Sequence, residues 1–283
     1  MKNLSFIIIL TLSIFQSINL NAQANKPTNY LVILDLSDRL LAHQQAEKDL
    51  KAIHMVYQSF IKSIKQKNII NAKDRFKIKI VHQPGTTLNE STYQQFLELD
   101  LSRIPALNRI SAVAEFDRKI GAALRSLYKE AILGSKPSDY SGVDLWRFFN
   151  ERLQLELREN MHNEVVILND GYFDYESKTH PAIKKRNRST NSSFYRAIRG
   201  TNWKTTMENG DFGILTTNGN FQQFDARIGI VGLNPKENTL TELDMLKGTW
   251  SKWMNEIGFV EVFLIENQND SNTITHQLAI NLN

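Results

Sequence analysis

Two short, unbroken apolar runs that each lead into an aspartate constrain this chain most. Tyr30-Leu31-Val32-Ile33-Leu34 meets Asp35, and Val165-Val166-Ile167-Leu168 is followed at once by Asn169, Asp170 and Gly171. A run without polar alternation reads as a strand buried on both faces, the habit of parallel sheets covered by helices. Between them Leu50, Ile53, Tyr57, Phe60, Ile61 and Ile64 recur at helical spacing with lysines around them, and Phe76, Ile78 and Ile80 then alternate with Lys77 and Lys79 up to Pro84-Gly85. Two or more helices are expected over 90–133, parted by Pro105, and another from about Val143 to Leu157. Residues 172–211 are polar and aromatic with little period, which reads as an insertion or long loop. Strand Ile228–Val231, a helix carrying Leu243, Leu246, Trp250, Trp253 and Met254, and strand Val260–Ile265 complete the pattern. The alternation predicts one α/β domain over 28–283: three layers, doubly wound, with a mainly parallel central sheet and helices on both faces. Its ligand site belongs at the carboxyl ends of the central strands.

Composition fits a folded chain, with 41% hydrophobic and 23% charged residues among 283. A formal net charge of +4 is too small to point to nucleic acid, and the absence of cysteine rules out disulfides, thiolate metal sites and a cysteine nucleophile. Lys2, the apolar stretch Phe6–Phe15 broken by Thr11 and Ser13, and the polar stretch to Ala22 read as a secretory signal over residues 1–22. The stretch falls short of the ~20 apolar residues of a membrane span. A periplasmic or secreted protein without a transmembrane anchor is expected after cleavage.

The acids carry a more specific message. Asp35-Leu36-Ser37-Asp38-Arg39 follows the first strand, and the later strand ends in Asp170-Gly171. This arrangement resembles the von Willebrand factor A-type domain and its metal-ion-dependent adhesion site, and the order of elements from residue 28 to about 266 is similar too. The resemblance implies that Asp35, Ser37 and Asp170 hold Mg²⁺ and that a partner's carboxylate completes its shell. It implies a binding module for a protein or other envelope macromolecule. Where the family has a second serine this chain has Arg39, which carries donors only and cannot ligate a metal. Ser141, in Tyr140-Ser141-Gly142-Val143-Asp144, is the nearest counterpart of the family's threonine. The residues leave several arrangements open. Arg39 supplies the positive charge in place of an ion, or Asp38 or Asp144 substitutes for a missing hydroxyl while Arg39 points to solvent, or the acids merely cap a helix and make a turn. A metal-dependent hydrolase using Asp35, Asp38 and Asp170, and a structural subunit with a vestigial site, are the alternatives in function.

Three further features stand beside a structural reading of each. Tyr172, Phe173 and Tyr175 form either an aromatic rim for a partner or the packing of the 172–211 segment. The basic run Lys184-Lys185-Arg186-Asn187-Arg188, with Arg196 and Arg199 behind it, is a solvated loop or a charged edge of the site mouth. Trp146, Trp250 and Trp253 belong to the core. The six histidines form no zinc motif, and no nucleophile elbow or phosphate-binding loop is present.

Overall fold

The computed structural model describes residues 26–86, 88–175, 183–237, 239–267 and 270–282. The expected signal at 1–22, His180 and part of the 172–211 segment lie outside them. Strand β1 (Thr28–Leu34) runs through the middle of a six-stranded sheet of order β3-β2-β1-β4-β8-β9, with β2 at Arg75–Ile80, β3 at Glu98–Asp100, β4 at His162–Leu168, β8 at Ala226–Leu233 and β9 at Glu261–Glu266. All neighbours are parallel except the short edge strand β3.

The unbroken apolar runs are explained by two cores, one on each face. Tyr30, Val32 and Leu34 of β1 enter one, while Leu31 and Ile33 enter the other. The first core is closed by α1 (Gln45–Gln66), α2 (Glu90–Leu97), α3 (Arg109–Ala131) and α9 (Ser271–Asn281). The second is closed by α4 (Leu145–Glu151), α5 (Leu153–Glu156), α6 (Tyr195–Ile198), α7 (Trp203–Asn209) and α8 (Leu240–Ile257). The fold is therefore three-layered, as expected. Among the described residues no helix is long and apolar enough to cross a membrane.

The structure departs from the sequence expectations in four places, the first being the edge strand β3, which lies inside the 90–133 stretch read as helices. The helix expected from Val143 to Leu157 is two pieces that meet at Arg152, whose backbone leaves the helical region at ψ −39 and φ −121. The segment read as an insertion or long loop carries α6, α7 and the strands β5 (Lys184–Lys185) and β6 (Arg188–Ser189), which form a small sheet with β7 (Gly213–Ile214) just beyond it. Phe194, Tyr195, Ile198, Trp203 and Met207 from it are buried in the second core. Elements this short show no period, so the helical stripe and strand alternation had nothing to register on. The last is α9, beyond the last element read from sequence, which packs Ile274 and Leu278 against the first core.

The amino ends of the strands close on a polar layer. Arg75, 1% exposed, donates to Glu98, Asn29 and Glu156, and Asn163 holds the backbone of Arg158, Met161 and Asp225. His162 starts β4 here, between Glu164 and Asp225. Hydrogen bonding to Glu164, opposed by burial and aided by Asp225, holds its imidazole above the usual range. A folded-state value above the unfolded one stabilises below about pH 6.5, and that stabilisation is lost as pH rises through the folded value. Wild type is therefore expected to gain melting temperature over His162→Gln on going from about pH 8 to about pH 6. A pH-independent difference between the two thermal melts would remove His162 as the source.

Candidate functional site

The sheet order places a topological switch point between β1 and β4. From β1 the chain winds outward through β2 to β3, and from β4 it winds the other way through β8 to β9. The loops leaving these two strands diverge, which opens a crevice at their carboxyl ends. Leu34 and Leu168 are register partners, and Asp35 donates its N–H to the Leu168 carbonyl at 3.2 Å. Asp35, Ser37 and Asp170 are thus brought to one crevice.

The Asp35 carboxylate accepts the Ser37 N–H at 2.9 Å on one oxygen and the Asn169 side-chain amide at 2.6 Å on the other. Burial raises its pKa above the usual carboxylate range, against the pull of Arg39 and these hydrogen bonds. Asp170 accepts the Tyr172 N–H at 3.1 Å, and its other oxygen takes no donor among the described residues. Burial, and then the charge of Asp35, push Asp170 up to about 7. Both acids make the short backbone turns that a purely local role would require. Their convergence on one crevice is what that role leaves unexplained. Gly171 follows at φ +101, a conformation that L side chains rarely adopt, and a Cβ there would press on Leu233 and Leu246.

Arg39 does not face solvent, which corrects one of the sequence-based arrangements, and its main partner is neither member of the acid pair. Its side chain is 2% exposed, and its guanidinium makes a two-pronged pair with Asp49 on α1 at 2.7 and 2.9 Å. One prong also reaches the Asp35 carbonyl at 3.1 Å. Asp49 accepts further from Gln45 at 2.8 Å and from Tyr128 of α3 at 3.0 Å. A guanidinium leaves water only for a partner of this kind, and Asp49 is buried and preformed on α1. Arg39 thereby ties the loop after β1 to two helices, and its charge acts on Asp35 and Asp170 from behind.

The remaining candidates are dispersed. Asp144 caps α4 through the Arg147 N–H at 2.9 Å and lines, with Tyr175, a separate cleft beside His82 and Pro84. Phe173 is 1% exposed and stacks on Trp250 at 4.6 Å, while Tyr172, 8% exposed, donates its hydroxyl to Glu242 at 2.7 Å. Those two rings are core, so the aromatic rim is not formed: Tyr172 packs on Tyr195 of α6 and Phe173 on Trp250 of α8. Asp38 and Ser141 line a cleft of ≈ 600 Å³ at the same end of the sheet, with Ser192, Arg196, Arg199 and Lys236 on its other walls. Gly142 (φ +75) lets this loop lie against the Asp174 carbonyl, where a Cβ would collide. Although burial opposes it, Asp174, Asp170 and Asp38 hold the Lys236 ammonium above its usual range. That charge links the cleft to the acid pair. Sequence reasoning missed Asn169, Asp49, Tyr128 and Lys236; of these only Asn169, wedged between Leu168 and Asp170, carried a local signal.

The donor set can be tested against a cation on its own chemistry. Among the described residues no three acidic, imidazole or thiol groups cluster around one point. An ion here would rest on the two carboxylates and the Ser37 hydroxyl, all hard oxygens, with water filling the other positions. That fits Mg²⁺, which keeps several waters and binds through one or two carboxylates. Compared with protein-family models, curated proteins and solved structures, the chain matches none of them.

Proposed function

We propose that this chain is an exported binding module of the von Willebrand factor A type, which engages an envelope macromolecule through the loops at the carboxyl end of its sheet. Asp35, Ser37 and Asp170 would hold a divalent cation. The observation that supports this reading is the convergence of two carboxylates from adjacent strands at the switch point, beside a broad polar cleft. Among the described residues no histidine is hydrogen-bonded to Asp35, Ser37 or Asp170, which favours recognition over a nucleophile and base pair. A bound cation would supply an electrophilic position that a partner's oxygen can complete.

Calorimetry with Mn²⁺ and Mg²⁺ tests it. Saturable binding by the purified chain is expected, lost in Asp170→Asn and Ser37→Ala, with circular dichroism showing both variants folded. Absence of binding by wild type would replace the ion-dependent reading with a metal-free scaffold. Turnover of phosphoester or glycoside substrates that disappears in Asp35→Asn would replace it with a hydrolase.

A further inference from the structure

We propose that the cleft beside the acid pair receives an acidic segment of a partner protein and that Arg196 takes its carboxylate. The inference rests on the strand-end face being the binding face, and it adds the chemistry of what binds there.

The basic run of the sequence divides in the fold. Arg188 turns inward to Asp211 at 2.5 Å and Glu256 at 2.6 Å, and Lys184 and Lys185 sit exposed on the small sheet. Arg196 and Arg199 instead line the cleft, where Lys236 joins them. Lys236 is paired with Asp174, and Arg199 with Glu237 and Glu242. Arg196 is exposed and has no acidic partner among the described residues. An unpaired guanidinium presents a planar fork that matches a carboxylate with two parallel hydrogen bonds.

Its support is rigid. Phe194, Tyr195 and Ile198 on either side are 1%, 5% and 2% exposed, so the backbone that carries Arg196 is anchored in the core and little order is lost on binding. The cleft also bears Asp38, which makes no ion pair within 4 Å among the described residues but acts on Lys236 through its charge. The cleft's two lining tyrosines, Tyr140 and Tyr195, are 8% and 5% exposed. Neither offers the open ring face on which a sugar stacks, and this favours a protein segment over an anionic glycan.

Fluorescence anisotropy with a labelled short oligoglutamate peptide, at low ionic strength and on the full chain, tests the assignment. Arg196→Ala is expected to weaken binding roughly tenfold, Arg196→Lys less, and Lys185→Ala negligibly, all three folded by circular dichroism. Equal losses in Arg196→Ala and Lys185→Ala would reduce the effect to diffuse charge and overturn the proposal, as would unchanged binding in Arg196→Ala. Tighter, Arg196-dependent binding of an oligogalacturonate would overturn the choice of a protein partner. Asp170→Asn separates the two readings. Wild type that binds the peptide through Arg196 but takes up no Mn²⁺ keeps this proposal and removes the ion; Mn²⁺ binding that is lost in Asp170→Asn, with peptide binding that does not depend on Arg196, does the reverse.

Discussion

Asp49→Ala is expected to lower the unfolding free energy by about 3–5 kcal/mol and the melting temperature by roughly 10 °C. The effect is this large because, among the described residues, Asp49 is the only carboxylate hydrogen-bonded to the Arg39 guanidinium, which has left water. It accepts both prongs of Arg39, the Gln45 amide and the Tyr128 hydroxyl, and the Arg39 and Asp49 side chains are 2% and 4% exposed. Removing it leaves a buried cation whose Nε already has no hydrogen-bond partner. Replacing both partners together, as in Arg39→Met with Asp49→Leu, is expected to cost far less, since the desolvation of two charges is then avoided. Thermal and denaturant unfolding monitored by circular dichroism would check this. A loss below about 1 kcal/mol in Asp49→Ala would mean that water reaches Arg39 and that the network does not anchor the loop. Because Arg39 also holds the Asp35 carbonyl, the same variant is expected to weaken Mn²⁺ binding even under conditions where it stays folded.

Trp250→Ala is expected to cost about 3–5 kcal/mol, the range for an aromatic ring removed from a core. Trp250 is 0% exposed, stacks on Phe173, approaches Trp253 at 5.7 Å and donates its indole N–H to the Gly171 carbonyl at 3.1 Å. The indole therefore fills volume and also holds the turn that follows Asp170. A cavity here has consequences beyond α8. Backbone amides around Gly171 to Asp174 and in α6 are expected to exchange faster with solvent, since Phe173 and Tyr195 belong to the same core. Hydrogen exchange followed by mass spectrometry would show it. Faster exchange confined to α8 would mean that the segment after β4 holds its place without the indole.

Much of this architecture was legible before the structure. The runs at Tyr30 to Leu34 and Val165 to Leu168 are unbroken because each strand feeds a core on both faces, so burial is written directly into residue type. The stripe from Leu50 to Ile64 is the buried side of α1, and Trp250 and Trp253 are core as expected. Tyr172 and Phe173 were ambiguous for the opposite reason: aromatic residues beside a site look the same in sequence whether they face a partner or a core.

Periodicity and the ends of apolar runs are properties of neighbouring residues, and they were enough to place Asp35 and Asp170 at strand termini. Partnership between distant side chains is not such a property. Asp49 and Tyr128 lie 79 positions apart, and no spacing rule connects them to each other or to Arg39. The packing of α1 and α3 on one face of the sheet chose that trio. It turned an arginine that looked like a defect in an acidic site into the buried tie that holds the site's loop in place.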